Sequence, residues 1–223
     1  MLLLFDIDGT LLVRATDDHR DAVHAALRRV WHVADPAAAR FDPRGRTDPE
    51  IARGILLQSG VAAERIDARM VDFKRAAAEE YARLCRSDLS SFVAPGVVSL
   101  LEELAARPGV VLSLVTGNLE PIARLKLARA GIGRFFARGH GGFGSDAEDR
   151  TELPAIARAR AGRSGAAYPR EETIVIGDTP LDVACARADG VRCFAVTTGS
   201  YGADELRGAD AVVSSARELL PLL

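Results

Sequence analysis

Three apolar runs in this chain each end in acidic, hydroxyl or amide side chains. Leu2-Leu3-Leu4-Phe5 leads into Asp6-Ile7-Asp8-Gly9-Thr10, and Val110 to Val115 leads into Thr116-Gly117-Asn118. Thr173 to Ile176 leads into Gly177-Asp178-Thr179-Pro180-Leu181-Asp182. A short continuous apolar run is the pattern of a strand buried on both faces, as in a parallel sheet covered by helices. In open α/β sheets, ligands bind beyond the carboxyl ends of the strands. The three polar endings are therefore expected to converge on one edge, although they are far apart in sequence.

The rest of the chain divides by period. Val23, Leu27, Val30 and Trp31 recur at helical spacing, as do Ile66, Met70, Phe73, Ala77, Tyr81 and Leu84. Thr47 and Glu50 are placed for a capping box at a helix start. Nothing between residues 14 and 90 has the alternation or β-branched density of a strand. From Pro95-Gly96 onward, helical segments alternate with the strand runs: a helix around Val97 to Leu104, one around Ile122 to Leu127 closed by Gly131, and one over Asp182 to Ala188. Further strands are expected at Cys193 to Val196 and Ala211 to Val213, with a terminal helix after them. The prediction is a Rossmann-like α/β core, a parallel sheet with helices on both faces, formed by residues 1–13 and 91–223. An all-helical cap, residues 14–90, is inserted after the first strand.

Composition excludes several classes. A chain of 223 residues with 48% hydrophobic and 27% charged residues has enough apolar content for a packed interior and a soluble surface. The formal charge of −2 is mixed along the chain with no basic stripe, which argues against a nucleic-acid partner. Asp6 and Asp8 interrupt the first apolar run too early for a signal peptide or membrane span. Cys85, Cys185 and Cys193 lack metal-site spacing and are odd in number, so reduced thiols and a cytoplasmic location are expected.

Asp6 and Asp8, two apart on an extended segment, face the same side. A carboxylate can attack phosphorus and form an acyl phosphate, splitting hydrolysis into two steps. A second carboxyl group can protonate the departing alcohol and then accept a proton from water. Bringing a phosphate dianion toward Asp6, Asp8, Asp178 and Asp182 costs roughly 1 to 4 kcal/mol for each close like-charge pair. A divalent cation would offset that, and magnesium suits an all-oxygen, partly hydrated site. A calcium loop starting at Asp6 would need a glutamate at the twelfth position, where Asp17 stands.

On these residues the chain resembles the haloacid dehalogenase-like hydrolase superfamily. Asp6-Ile7-Asp8-Gly9-Thr10-Leu11-Leu12 is similar to its first motif, Thr116-Gly117-Asn118 to the second, and Gly177 to Asp182 to the fourth. The branch most resembled is phosphoglycolate-phosphatase-like, with a helical cap between the first two motifs. Thr197 to Gly202 and Ala209 to Val213 resemble that branch too. The resemblance implies that Asp6 is the nucleophile and Asp8 the general acid and base. It implies magnesium held by Asp6, the Asp8 carbonyl and Asp178, with Asp182 in support. Thr116 and the amides near Gly117 and Asn118 would hold the phosphoryl group.

The third motif is usually a lysine ahead of the fourth. Here Gly144 to Arg150 offers Arg150 as a catalytic and phosphate-binding cation, with Lys126 as the competitor. Lys126 lies in the helix after the second motif and is read as a solvated or snorkelling side chain. His140 is read as part of a turn. His19, His24 and His32 are expected on a cap helix without ligand spacing, and Trp31 is read as packing. Arg14, Arg44, Arg46 and Thr47 are candidate substrate contacts from the cap, or else surface charges and a helix cap. The expected activity is magnesium-dependent hydrolysis of a small phosphorylated metabolite, of phosphoglycolate-like type. The alternatives are a phosphomutase of β-phosphoglucomutase type or a non-catalytic binding protein keeping the fold.

Overall fold

The structure, a computed structural model, describes residues 1–223. Six parallel strands form one sheet: β1 Leu2–Phe5, β2 Val111–Thr116, β3 Gly142–Phe143, β4 Thr173–Gly177, β5 Arg192–Val196 and β6 Ala211–Val213. Their spatial order is β3-β2-β1-β4-β5-β6. The three strands that carry the polar endings are thus neighbours, with β1 in the middle. Phe5 pairs with Leu114 on one side and Ile176 on the other, so the residues after them emerge together. The chain extends the sheet from β1 toward β3, then crosses back to β4. That reversal puts a crevice at the carboxyl ends of β1 and β4.

The apolar runs are continuous because both faces of the sheet are covered. Leu3, Phe5, Ile174 and Ile176 belong to one buried cluster, and Leu2, Leu4 and Val175 to a second. Fully burying each such side chain contributes about 1.5–3 kcal/mol. Helices α5 Val97–Ala106 and α6 Glu120–Arg129 bring apolar side chains to the first cluster, and α7 Leu153–Ala161 and α8 Pro180–Asp189 to the second. No helix is long and apolar enough to cross a membrane.

Between β1 and α5 the chain is helical: α1 Asp17–Trp31, α2 Asp48–Gln58, α3 Ala63–Asp67 and α4 Met70–Leu84. The segments entering and leaving this lobe run side by side, with Leu12 bridged to Val93 and Val13 N–H donating to the Phe92 carbonyl at 2.8 Å. Val23, Leu27, Val30 and Trp31 are buried, as their spacing predicts.

The elements depart from the sequence reading in five places, the first being helix α7, Leu153–Ala161, which went unread. The stripe from Ile66 to Leu84 is two helices, broken after Asp67, and Ile66 belongs to the shorter one. The capping box at Thr47 is half made: its hydroxyl accepts from Glu50 N–H at 3.2 Å, but the Glu50 carboxylate is taken by Arg46. The terminal helix is a 3₁₀ turn, Ala216–Leu222, in which Pro221 cannot donate a helical hydrogen bond. Strand β3 went unread because two residues, one of them glycine, carry no period.

Candidate active site

Asp6 follows the last residue of β1 and its N–H donates to the Ile176 carbonyl at 2.8 Å, which fixes it against β4. Gly9 then turns the chain with φ +93°, and a Cβ there would lie 2.2 Å from Asp178 Oδ2. Only glycine allows this backbone to cover the Asp178 carboxylate. Thr10 Oγ1 donates to Asp178 Oδ1 at 3.1 Å, and Asp178 itself follows β4.

Carboxylate oxygens of Asp6, Asp178 and Asp182 lie within 4.8 Å of one another, all buried. Arg150, in a 3₁₀ turn begun by Asp149, donates through Nη2 to Asp6 Oδ1 at 2.9 Å and to Asp182 Oδ1. Asp182 is fully buried; its Oδ2 accepts from Asp178 N, Thr179 N and Thr179 Oγ1, closing the capping box of α8. Its oxygens are therefore already used to anchor Arg150 and the turn.

Three carboxylates facing one guanidinium leave two negative charges uncompensated. Burial pushes Asp6 up to about 7; Arg150 opposes this, while Asp182 and Asp8 reinforce it. Burial pushes Asp178 up to about 8, with repulsion from Asp182 and Asp6 adding to it. The guanidinium of Arg150 is held charged by Asp182 and Asp6 despite its own burial. An all-oxygen cluster short of two positive charges fits a hard divalent cation such as magnesium, with Asp6 and Asp178 the carboxylates best free to hold it.

Asp8 is paired differently. Its Oδ2 accepts from Asn118 Nδ2 at 2.9 Å and Lys126 Nζ at 2.6 Å, while its buried Oδ1 has no partner. Burial alone would raise this carboxyl, but Lys126 above all, with Asn118, outweighs it and holds Asp8 below its ordinary value. Lys126 corrects the sequence reading: it is fully buried, neither solvated nor snorkelling. The stripe it lies on, with Ile122, Ala123 and Leu127, is the buried face of α6, so the helical period carried that signal.

Thr116 ends β2 and is fully buried. Its Oγ1 accepts from Asn118 N–H at 3.3 Å and from Asn118 Nδ2 at 3.1 Å, which leaves its own hydroxyl hydrogen to donate elsewhere. The amides of Asn118 and Leu119 are engaged by Thr116 and by Asp48. The N–H groups of Ile7, Asp8 and Gly117 make no bond within the chain, so the free donors next to Asp6 include two that the sequence reading did not single out. Gly117 is pressed against the helical lobe: a Cβ there would lie 2.0 Å from the Arg46 carbonyl oxygen.

Asp6, Asp8, Arg150 and Asp178 line a cavity of about 1310 Å³ between the sheet edge and the helical lobe. Arg14, Arg44 and Arg46 line it from the other side, with His19 and His24. Arg44 is held by Asp42 and lies 5.0 Å from the Tyr201 ring, and Arg46 is held by Glu50. Thr47 does not line the cavity. It is fully buried and its hydroxyl donates to the Glu148 carbonyl at 2.6 Å, so that candidate substrate contact is a cap-to-core tie instead. His32 caps the end of α1, and Trp31 packs against Phe73 while donating to the Arg65 carbonyl.

Residues 3–187 match the haloacid dehalogenase-like hydrolase family. The chain is 30% identical over 229 residues to phosphoglycolate phosphatase 1 of Pseudomonas aeruginosa, covering 99% of this chain and 78% of that one. It is also 30% identical to a plasmid-encoded phosphoglycolate phosphatase of Cupriavidus necator, covering 99% and 92%. Among solved structures, a hydrolase from Pseudomonas syringae superposes with a TM-score of 0.68 at 22% identity, over 98% of this chain and 95% of that one. The chain belongs to the haloacid dehalogenase-like hydrolase family. Relatives matched along nearly its whole length place it among the phosphatases of that family.

Proposed function

We propose that the chain hydrolyses a small phosphate monoester through an aspartyl-phosphate on Asp6, with magnesium as its cofactor. The observation that carries this reading is the pairing of two carboxyl groups with opposite environments. Asp6 sits with Asp178 and Asp182 in a cluster short of positive charge. Asp8, which also lines the cavity, is tied through one oxygen to Lys126 and Asn118, with its other oxygen buried and unpartnered.

In the first half-reaction, Asp8 takes up a proton from solvent as the phosphate binds beside it; an oxygen of Asp6 then bonds to phosphorus as the bond to the leaving alcohol breaks, and Asp8 gives that alcohol the proton. In the second, water attacks the acyl phosphate, Asp8 takes its proton, and Asp6 is released as carboxylate. Arg150 balances charge as it moves between Asp6 and the phosphoryl oxygens. Thr116 Oγ1 and the free N–H groups of Ile7, Asp8 and Gly117 would supply donors to that charge. Asp6, the Asp8 carbonyl and Asp178 would hold magnesium, with Asp182 behind them. Bound there, the ion would neutralise the phosphoryl oxygens and favour the ionised form of Asp6.

The helical lobe covers the cavity, keeping bulk solvent out while admitting the single water that attacks the acyl phosphate. A phosphoglycolate-like substrate is the narrower reading, supported by the names of the relatives and by arginines facing the site. Phosphate release from a panel of phosphorylated metabolites by the magnesium-loaded protein tests the proposal. Turnover of none of them would sink it.

A further inference from the structure

Of 29 basic residues only two, Lys74 and Lys126, are lysines. One of those two is fully buried, and it is the one that touches Asp8. Burying an ammonium group is costly unless every hydrogen finds a partner. Lys126 gives two of its three hydrogens strong acceptors, Asp8 Oδ2 at 2.6 Å and His19 Nδ1 at 3.0 Å, and its Nζ lies 6.0 Å from the centroid of the Tyr81 ring. Lysine donates only, so Nδ1 accepts and the ring hydrogen sits on Nε2. Nε2 then donates to Asp48 Oδ2 at 3.1 Å. The same Asp48 oxygen accepts from Leu119 N–H at 2.7 Å, and Asp48 N–H donates to the Gly117 carbonyl at 2.8 Å.

The network has a direction. It grips Asp8 by Oδ2 and leaves Oδ1 without a partner. It also spans the lobe boundary, since Lys126 lies on α6 of the core, His19 on α1, and Asp48 on α2. Withdrawal of the helical lobe would remove His19 and Asp48 together and leave Lys126 with one acceptor fewer. A planar guanidinium would not serve these two acceptors in the same way, because its donors are fixed in one fork.

We propose that Lys126 is a positioning residue that fixes the Asp8 carboxyl group in place for the leaving group, and that His19 and Asp48 make this positioning conditional on the helical lobe being seated. The inference rests on the reading of Asp8 as proton donor to the leaving alcohol. Lys126 itself touches no substrate atom.

A double-mutant cycle with magnesium-loaded full chain tests it. Steady-state kinetics would be measured on an alkyl phosphate and on p-nitrophenyl phosphate, which departs without protonation. Lys126→Met should lower kcat on the alkyl phosphate by about 10-fold or more, within the range of general acid catalysis, and the aryl phosphate by much less. KM should move by less than about threefold. Within an Asp8→Asn background, Lys126→Met should add less than about twofold, because residues acting through one another are not additive. His19→Gln should give the same pattern at smaller amplitude, and it replaces Lys126→Met in the cycle if that variant does not fold. A loss of equal size on both substrates, or of equal size in both backgrounds, overturns the inference and leaves Asp8 in its role. A loss in Asp8→Asn alone that ignores the leaving group overturns the reading of Asp8, and the inference with it.

Discussion

Arg150 Nη2 lies 2.9 Å from Asp6 Oδ1, and the same nitrogen also donates to Asp182 Oδ1. One buried cation thus links the proposed nucleophile to the carboxylate that caps α8. As charge moves from Asp6 to the phosphoryl oxygens, a fixed donor here is worth what a single preorganised donor is worth elsewhere. Arg150→Ala should cost about 10² or more in kcat/KM. Arg150→Lys should recover only part, since one compact ammonium cannot reproduce the guanidinium's fixed set of donors. Full activity in Arg150→Ala would remove it from the mechanism.

Asp6→Asn keeps the shape of the side chain and removes the nucleophile. Turnover should fall to background, while thermal unfolding shows the fold retained. Retention of a substantial share of wild-type activity by the purified variant would move the nucleophile to another residue.

Much of this site was legible because its parts end apolar runs. Asp6, Asp8, Thr116 and Asp178 each sit within three residues of a strand end, and parallel strands bring such ends together. Arg150 was reached through family resemblance, since a charged segment has no period to read. Lys126 was misplaced because its charge was weighted above its position, although Ile122, Ala123 and Leu127 define a buried stripe that includes it. The tie from Thr47 to Glu148 joins residues about a hundred apart, and local pattern carries no trace of such a contact.

Asp8→Asn should impair esters with poor leaving groups far more than activated aryl phosphates. The difference should approach the 10²- to 10⁴-fold typical of general acid catalysis. Rates measured across a series of leaving-group pKa values provide the check: a steeper dependence in the variant is expected. An unchanged slope would make Asp8 structural.

A phosphatase passes the phosphoryl group to water, whereas a mutase returns it to a second hydroxyl. With a sugar phosphate as substrate, inorganic phosphate should appear in step with substrate loss and without a bisphosphate activator. Isomerised sugar phosphate accumulating with little free phosphate would favour the mutase reading.

Stability of the metal-free protein should fall as pH rises from about 4 to 8. Burial and mutual repulsion raise Asp6 to about 7 and Asp178 to about 8, well above their ordinary 3.8. Over that window the folded state holds protons that the unfolded chain has released, so folding is progressively disfavoured as pH increases. Asp8 has the opposite sign: its lowered value contributes stability that is present above about pH 4 and lost only in more acidic solution. Magnesium competes with the protons on Asp6 and Asp178, and a ligand that binds only the folded state stabilises it by an amount that grows with the logarithm of one plus its concentration over Kd. The gap in Tm between magnesium-saturated and chelator-treated protein should therefore widen from pH 5 to pH 8. Calcium, with its longer bonds and looser coordination, should raise Tm without restoring turnover to the magnesium level. Thermal unfolding at several pH values, with and without each ion, makes the measurement independent of activity. A magnesium-dependent gap that is absent, or that shrinks as pH rises, would show that these carboxylates do not hold the ion.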